Sequence, residues 1–406
     1  MKRIAVIGGG ASGLMAACFA ANGNSRVTVF ERQKKIGRKI LVSGNGRCNI
    51  TNRHITAEKY HGRNPHFVHN VFARFGLHET VDFFKSIGIP LIEENDGKLF
   101  PASLQASAIV KVFEYELAAR NVEIKLHNKI ERIIRANGGY TLVTAGREEH
   151  DVDSVILSAG SCAFPPVGGS RSGYELALQM GHTVHEPFPV ILPLTIPLKT
   201  LHRLQGIKCD CGVKAVHNAK TLVSSNGEIL FTAYGISGPV SLDISREVNS
   251  LAVRDIFPDI IIDFFPRYSA DELSEQLEAL WKDGSKSVSF SLIGIIKRPM
   301  PEVLLGIAGI EPHKPVYDLT QDEKKRLAMT LKGLKLTPGK PRGFAEAVVA
   351  AGGVDVDEVD PATMESRLAP GMHITGELLD IDGDSGGYNL QFAWSTGAIA
   401  GKAQHR

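Results

Sequence analysis

Cysteine is scarce in this chain. Five cysteines occur among 406 residues, at positions 18, 48, 162, 209 and 211, and such an odd, scattered set is typical of a protein from a reducing compartment. The pair at 209 and 211 is spaced too closely for a usual zinc pair, and no second pair or histidine cluster completes a site. We therefore expect neither a disulfide framework nor a metal site.

An excess of charge of one sign is also lacking. Lysine and arginine number 46 against 44 acidic residues, a net charge of +2 at pH 7, so nucleic acid and anionic membranes are not expected as partners. No apolar run approaches the length of a membrane span. A strand is expected from the first residues, which leaves no room for a signal peptide. These features predict a cytoplasmic protein of two or three domains.

The opening residues carry a phosphate-binding pattern. The apolar run 4–7 predicts a buried parallel strand, and Gly8, Gly10 and Gly13 follow with G-x-G-x-x-G spacing before a predicted helix over 12–21. The first glycine permits a tight turn, the second lets backbone amides approach a pyrophosphate, and the third lets the helix pack on the strand. The helix N-terminus adds partial positive charge.

An acidic residue completes this pattern. A second predicted strand over 27–30 ends in Glu31, 18 residues after Gly13, where a carboxylate accepts hydrogen bonds from the ribose of an adenosine. The alternative is a glycine-rich turn in an ordinary α/β protein. The combination predicts a βαβ dinucleotide site.

Hydrophobic periodicity divides the rest of the chain. Residues 191–265 alternate apolar and polar side chains, which predicts a β-rich, barrel-like module with a hairpin turn at Ser225–Gly227. Residues 266–342 have mainly helical patterns. We expect an α/β fold in which a Rossmann-like domain with a parallel sheet, formed by 1–190 and 343–406, is interrupted by these two parts.

Some expectations within the Rossmann-like domain are specific. Apolar residues between 65 and 87 follow a helical pattern, and a turn at 137–139 joins two short strands. A strand over 373–375 is expected to deliver Gly376 and Glu377 to a cofactor, and a helix over 393–404 is expected to close the domain.

Two polar, glycine-rich segments distinguish FAD from NAD, because a flavin needs contacts along the whole extended cofactor. Residues 37–52 read Gly-Arg-Lys-Ile-Leu-Val-Ser-Gly-Asn-Gly-Arg-Cys-Asn-Ile-Thr-Asn, which resembles the second signature of the BaiN-like flavoproteins, also called the aminoacetone-oxidase-type family. Residues 231–239, 351–354 with 363–366, and 376–391 are similar to later blocks of that family. The likeness covers essentially the whole chain.

This resemblance implies an FAD domain of the two-dinucleotide-binding type, related to fumarate reductase flavoproteins and split by a barrel-like insertion with a helical part. The cofactor it implies is FAD, which we expect to be non-covalent. The residues that it implies as ligands are Gly8, Gly10, Ala11, Ser12, Gly13, Glu31 and Arg32 for the adenosine diphosphate half, Lys39, Ser43, Gly44 and Asn49 for the pyrophosphate and ribityl, Ile130 for the adenine, Ala159 and Gly160 for the adenosine side, and Asp380, Gly387, Asn389 and Leu390 for the ribityl and flavin pyrimidine. Residues 158–161 depart from the family, reading Ser-Ala-Gly-Ser instead of Ala-Thr-Gly-Gly.

The sequence names no catalytic acid or base. Arg47 is a candidate for stabilising an anionic reduced flavin or clamping a carboxylate or carbonyl substrate. The alternatives for Arg47 are a pyrophosphate ligand and a structural ion pair. Cys48 has no C-x-x-C partner, so packing is its expected role.

We expect an FAD-dependent oxidoreductase that transfers hydride between the flavin and a small organic substrate held at the interface of FAD domain and insertion. A second G-x-G-x-x-G pattern is absent, so NAD(P)H is expected only as a transient electron donor or acceptor. The alternatives are an amine oxidase that produces hydrogen peroxide, a tRNA-modifying flavoprotein, and a regulatory flavoprotein without turnover. The near-neutral charge argues against the RNA alternative.

Overall fold

The fold is taken from a computed structural model that describes residues 1–136 and 138–405. The α-helices are α1 (Ala11–Ala20), α2 (Arg38–Val42), α3 (Phe67–Arg74), α4 (Leu77–Ser86), α5 (Ala106–Ala119), α6 (Ser172–Gln179), α7 (Pro239–Ala252), α8 (Ala270–Leu280), α9 (Val288–Leu292), α10 (Met300–Ala308), α11 (Gln321–Gly333) and α12 (Tyr388–Ala403). The β-strands are β1 (Lys2–Ile7), β2 (Ser25–Phe30), β3 (Thr51–Asn52), β4 (Tyr60–His61), β5 (Leu91–Glu94), β6 (Lys98–Pro101), β7 (Glu123–Lys125), β8 (Ile130–Ala136), β9 (Gly139–Thr144), β10 (Glu149–Val152), β11 (Ser154–Leu157), β12 (Val184–Val190), β13 (Leu194–Thr195), β14 (Lys208–His217), β15 (Lys220–Thr232), β16 (Gly235–Ser237), β17 (Asp259–Asp263), β18 (Leu334–Leu336), β19 (Val349–Val354), β20 (Met372–Ile374) and β21 (Asp382–Gly383).

The chain divides into two compact units. The first comprises Met1–Phe188 together with the chain from Val348 onwards, and the second comprises Pro189–Ala347. The assignment of these units to FAD binding and to a functional insertion stays a prediction.

A parallel sheet with strand order β20-β11-β1-β2-β7 forms the centre of the first unit. Residues 4–7 of β1 and all of β11 are buried, which explains their continuous apolar sequence, because helices cover both faces of such sheets. Phe30, Ile7, Leu157 and Ile374 lie in one row across four strands. The predicted Rossmann-like α/β fold is confirmed.

Helices α1 and α12 pack closely together in the first unit. Most residues of both helices are buried, as expected for α1, which is apolar nearly all round. A Cβ on Gly397 would lie 2.2 Å from the carbonyl oxygen of Ser12, and one on Gly401 would lie 2.5 Å from that of Ala16. Glycine at these positions therefore brings the two helix backbones into contact.

Smaller sheets complete the first unit. Their strand orders are β10-β9-β8, β3-β6-β5, β21-β4 and β12-β19. The turn expected at 137–139 includes Asn137, which lies outside the described residues.

The second unit is built on a six-stranded antiparallel sheet of order β13-β16-β15-β14-β17-β18. Its buried core includes Phe231, Ile244 and Leu277, from β15, α7 and α8. The sequence predicted the alternating strands and the helical part, but α7 lies within the stretch that was expected to be β-rich. The expectation was wrong for the residues of α7 alone, because Val240, Ile244 and Val248 recur every four residues and bury one face of a helix.

The predicted hairpin turn at Ser225–Gly227 is also wrong. These residues lie inside β15, and the chain reverses instead at Asn218 and Ala219, which have φ of 49° and 61°. Two consecutive residues with positive φ suit the right-handed twist of a hairpin. Gly227 faces α7, where a Cβ would lie 3.3 Å from a methyl carbon of Val240.

The helical pattern over 65–87 is two helices, α3 and α4. A Cβ on Gly76 would lie 2.7 Å from the carbonyl oxygen of Phe72, so the chain turns closely there. The backbone amide of Gly76 donates to Glu79 at 2.8 Å, and this bond starts the second helix.

Candidate functional site

Four parallel strands of the first unit end at one edge of the central sheet. The residues that follow β1, β2, β11 and β20 are Gly8, Glu31, Ser158 and Thr375, and the hydroxyls of Ser158 and Thr375 are 2.7 Å apart. Open α/β sheets bind ligands at the carboxyl ends of their strands, where the strand order reverses. In this sheet the reversal lies beside β1.

The three glycines of the amino-terminal turn have different surroundings. Gly8 has φ of +110°, and a Cβ there would lie 2.3 Å from the carbonyl oxygen of Ser158. A Cβ on Gly13 would lie 1.9 Å from the carbonyl oxygen of Gly8, whereas one on Gly10 would meet no described atom within 4 Å. The turn and helix are therefore tightly packed, and the space in front of Gly10 is open.

The amino terminus of α1 faces this open space without a cap. No side chain caps the helix at Gly10, and its first turn contains no acidic residue. The amides of the first turn, which include Ala11 and Ser12, consequently present donors and partial positive charge suited to an anion.

The side chains of Glu31 and Arg32 both form hydrogen bonds with the protein backbone. The Glu31 carboxylate accepts hydrogen bonds from the amides of Gly9 at 2.8 Å and Gln33 at 2.7 Å, which pins it beside the glycine turn. The guanidinium of Arg32 donates to the carbonyls of Gly168 and Gly169. Arg32 thus holds a loop of the protein, and its role as a cofactor ligand stays a prediction.

The polar segment 37–52 contains an unusual run of left-handed backbone. Gly44, Asn45, Gly46 and Cys48 have φ between 54° and 81°. A Cβ on Gly44 would lie 3.0 Å from the amide nitrogen of Asn49, so a side chain there would crowd the loop. Such strain is concentrated at functional sites in proteins.

Asn49 carries the clearest sign of a missing partner in this segment. Its Oδ1 atom is buried and has no hydrogen-bond partner among the described residues. Ser43 differs, because its hydroxyl donates to the carbonyl of Ile40 at 2.7 Å. A buried acceptor without a donor is costly, so Asn49 fits a bound group that supplies one.

Lys39 links three parts of the first unit. Its ammonium lies 2.5 Å from Glu377 Oε2, and Glu377 Oε1 accepts from the amide of Ala350 at 3.1 Å. The preceding Gly376 packs against Ser12, whose Oγ atom would lie 2.6 Å from a Cβ at that position. The strand expected before Gly376 is β20, and the delivery of Gly376 and Glu377 to a cofactor stays a prediction.

Three of the expected adenosine contacts lie at the start of β8 or shortly after the end of β11. Ile130 is the buried first residue of β8. Ala159 and Gly160 follow β11, and Gly160 has φ of +68° with open space where a Cβ would stand. The assignment of all three to the adenosine stays a prediction.

The helix at the carboxyl end of the chain begins earlier than expected. The sequence placed its start at residue 393, whereas α12 starts at Tyr388 after Gly387, which has φ of 101°. Asn389 and Leu390 therefore lie in its first turn. Like α1, this helix has no side-chain cap and no acidic residue in its first turn, so a second helix amino terminus is available to an anionic group.

Asn389 and Asp380 hold the chain that leads to α12. The Asn389 amide group clamps the backbone of Gly383, accepting at 2.9 Å and donating at 2.7 Å. Asp380 is buried and accepts from the amide of Arg63 at 3.2 Å, and burial raises the pKa of its carboxyl. Both side chains therefore hold backbone segments in place through hydrogen bonds.

Arg47 is held by an ion pair. Its guanidinium donates to both oxygens of Glu94, at 3.0 and 2.8 Å, and lies 4.6 Å from the ring centroid of Phe100. These contacts agree with the ion-pair alternative, and a catalytic role of Arg47 stays a prediction. Burial raises the pKa of the neighbouring Cys48 thiol to about 12, which makes it a poor nucleophile at neutral pH.

Two kinds of binding element are not seen in the described part of the chain. No group of three or more histidine, cysteine, aspartate or glutamate side chains there is placed to hold a metal ion. Within residues 1–136 and 138–405, no helix combines the length and apolar character needed to cross a membrane.

Comparison with known proteins decides the family. The family described as the HI0933-like protein Rossmann domain matches residues 2–403. The chain belongs to this family. It is 37% identical over 406 residues to the 3-dehydro-bile acid delta(4,6)-reductase of Clostridium scindens, covering 99% of both chains. It is 31% identical over 397 residues to the ribosomal RNA dihydrouridine synthase of Escherichia coli K12, covering 96% of this chain and 95% of that one.

A solved structure has a similar fold. The 3-ketosteroid delta1-dehydrogenase from Sterolibacterium denitrificans superposes with a TM-score of 0.52 at 12% identity, and the match covers 99% of each chain. This likeness concerns the fold alone. The resemblance to BaiN-like flavoproteins is confirmed, and the protein is an FAD-dependent oxidoreductase.

The residues present fit FAD. The open space at Gly10 and the uncapped start of α1 suit a pyrophosphate. The unpaired Oδ1 atom of Asn49 suits a hydroxyl or N–H donor such as those of the ribityl and flavin pyrimidine. The uncapped start of α12 after Gly387 suits partial negative charge. The individual contacts of these residues with FAD stay predictions.

Proposed function

We propose that the protein is a reductase that saturates a carbon–carbon double bond conjugated to a carbonyl group in a small organic molecule, with NAD(P)H as the source of electrons. The observation that carries this proposal is the chemistry shared by two relatives with different substrates. A delta(4,6)-reductase of 3-dehydro-bile acids and a dihydrouridine synthase each saturate a double bond conjugated to a carbonyl. Both relatives match at least 95% of their own length.

The chain's own residues would hold the cofactor and the charge that develops during such a reduction. FAD, when bound, supplies the hydride. The turn at Gly10 and the start of α1 bind phosphate, Glu31 orients the ribose, and the start of α12 offers partial positive charge near Gly387. We assign NAD(P)H a transient role because the sequence has one dinucleotide fingerprint.

The test is an anaerobic two-step reaction of the purified holoprotein. NADH or NADPH is added first, and bleaching of the flavin absorbance reports reduction. A steroid with a 3-oxo-4-ene group is added next, with its saturated 3-oxo analogue as the matched control. We expect reoxidation by the unsaturated compound alone, with one saturated product per flavin. Bleaching by an amine, followed by hydrogen peroxide on admission of air, would instead support the oxidase alternative.

A second candidate is the same reduction on a uracil ring within RNA. It is supported by the 31% identity to the ribosomal RNA dihydrouridine synthase over nearly the whole chain, and the net charge of +2 argues against it. Reduced holoprotein would be incubated with ribosomal RNA, and the digested nucleosides would be analysed by mass spectrometry. Dihydrouridine formation together with an inert steroid would favour the RNA candidate.

A further inference from the structure

A titratable cluster precedes α12 and has no role in the site described so far. Strands β4 and β21 pair antiparallel, with His61 opposite Asp382. The Nε2 atom of His61 lies 2.7 Å from Oδ1 of Asp384, and the ammonium of Lys59 lies 3.1 Å from its Oδ2. One carboxylate therefore bridges an imidazole and an ammonium group.

This cluster is fixed to the first turn of α12. The hydroxyl of Tyr60 donates to the carbonyl of Tyr388 at 3.0 Å, which ties β4 to the helix. Asn389 clamps Gly383 and also donates to the carbonyl of Asp384 at 3.4 Å. The backbone on either side of the His61–Asp384 pair is thus fixed by hydrogen bonds to the start of α12, as the positioning of an acid–base group requires.

The two ring nitrogens of His61 have different surroundings. Nε2 faces the carboxylate, whereas Nδ1 has no hydrogen-bond partner among the described residues, and 27% of the side chain is exposed. Burial opposes ionisation of Asp384, but hydrogen bonds and charge from His61 and Lys59 hold the pKa of its carboxyl below the usual value. A carboxylate on one nitrogen leaves the other to exchange a proton.

Other charged groups lie on the segments next to His61. Asp382 is opposite on β21, and the carboxylate of Asp380 accepts from the amide of Arg63, two residues after His61. The neighbouring segments therefore carry carboxylates at Asp380 and Asp382 and cations at Lys59 and Arg63. Charges of both signs thus flank His61, and its acid–base role depends on the direct contact with Asp384.

We propose that His61 is the proton donor for the reduction, with Asp384 as its positioning residue. This inference rests on the function proposed above. FAD, when bound and reduced, would supply a hydride whose electron pair forms the new bond at the β-carbon of the conjugated double bond, while the π electrons move toward the carbonyl oxygen. The Nδ1 proton of the His61 imidazolium then goes to the α-carbon. This would leave the flavin oxidised, and the neutral imidazole of His61 would regain its proton from the solvent.

The first test measures turnover of a 3-oxo-4-ene steroid by His61→Gln holoenzyme. Glutamine can still donate to Asp384, so we expect unchanged flavin content and thermal stability, while kcat falls about 10²-fold to 10⁴-fold. His78→Gln, at an exposed position of α4, is the matched control and should leave kcat unchanged. Asp384→Asn should move the alkaline limb of the kcat profile to lower pH, and Asp384→Glu should partly restore it.

The second test needs no turnover. Histidine ring resonances of the holoenzyme are recorded by NMR, with His61 assigned by its loss in His61→Gln. We expect the His61 resonance to shift when the flavin is reduced and again when a saturated 3-oxo steroid is added, while that of His78 stays in place.

The outcomes separate this inference from the proposed function. Turnover by wild-type enzyme with an unaltered kcat in His61→Gln would overturn the role of His61 and leave the reductase proposal standing. If wild-type enzyme reduces no unsaturated ketone, the reductase proposal fails. In that case a His61 resonance that is insensitive to flavin reduction would overturn the placement of His61 as well, and a shifting one would support it.

Discussion

At the scale of single residues, one amino-terminal glycine is expected to matter for cofactor binding and another for folding. A Cβ on Gly10 meets nothing within 4 Å, and the backbone of Gly10 is extended. Gly10→Val should therefore fold normally but purify largely without flavin, because its side chain fills the space expected for pyrophosphate. Gly13→Ala should instead lose stability, by about 1–3 kcal/mol from overpacking. Flavin absorbance and thermal unfolding measure the two effects. Full flavin content in Gly10→Val would contradict the assignment.

The pair of Arg47 and Glu94 offers a test of the catalytic candidate. If Arg47 stabilises the anionic reduced flavin, Arg47→Met should lower the flavin reduction potential and slow reduction more than it weakens FAD binding. Glu94→Gln releases the guanidinium from its carboxylate and should move the potential in the opposite direction. Spectroscopic redox titration measures both. Loss of FAD in Arg47→Met would show that Arg47 anchors the cofactor. Equal reduction potentials in wild type, Arg47→Met and Glu94→Gln would show that Arg47 serves only as a structural ion pair.

Two buried histidines make stability depend on pH. Burial lowers the pKa of His182 and of His373 from 6.5, so the unfolded chain binds more protons than the folded one below that pH. The free energy of unfolding should therefore fall as pH drops below about 6.5, by at most about 1.4 kcal/mol per pH unit for each histidine. His373→Asn should flatten the slope in thermal unfolding, and the exposed control His78→Gln should keep it. An unchanged slope in His373→Asn would show that His373 does not contribute.

At the scale of elements, the contact of α1 with α12 joins two uncapped helices. Gly397→Ala places a methyl group 2.2 Å from the carbonyl oxygen of Ser12, so the helices must separate. We expect a loss of about 1–3 kcal/mol in stability together with weaker FAD binding. Gly306→Ala in α10, where a Cβ meets nothing within 4 Å, should gain about 0.5–1 kcal/mol instead. Chemical denaturation with and without added FAD measures both variants. Tight FAD binding in Gly397→Ala would contradict this account.

Patterns of neighbouring residues predicted the elements that local sequence determines. The βαβ start and the amphipathic helices α8 and α11 follow from periodicity. The turn at Ser225–Gly227 failed because packing of Gly227 against α7 keeps that segment extended, and α7 itself was missed although Pro239 at its first position is a helix-start signal. Tertiary contacts override local preference at such positions.

At the scale of the whole molecule, the candidate site combines segments that are distant in the sequence. The glycine blocks were recognisable because their function constrains residue type at fixed spacing. The partners Lys39 and Glu377 are separated by 338 positions, and His61 and Asp384 by 323. No local pattern links such pairs, because β4 and β21 are two-residue strands that form only through the fold.

The pairing of β12 and β19 brings together the two stretches of chain between which residues 191–342 lie. The amide of Asp355 donates to the carbonyl of Thr183, and Gly352 approaches the carbonyl of Glu186. Sequence numbers therefore run in opposite directions along the two strands, which places the end of β12 beside the start of β19. A short linker could close this gap at a modest entropic cost.

Removal of residues 191–342 tests whether the first unit binds FAD without the second. The second unit has its own buried core, so its replacement by a short glycine–serine linker should leave FAD binding by the first unit partly intact, while turnover of the steroid is lost. Flavin content, the stabilising effect of added FAD on thermal unfolding, and the reductase assay measure these properties, with the full chain as the control. A shortened protein that is folded but binds no FAD would show that the inserted residues contribute to cofactor binding. Retained turnover would place every residue needed for the chemistry in the first unit.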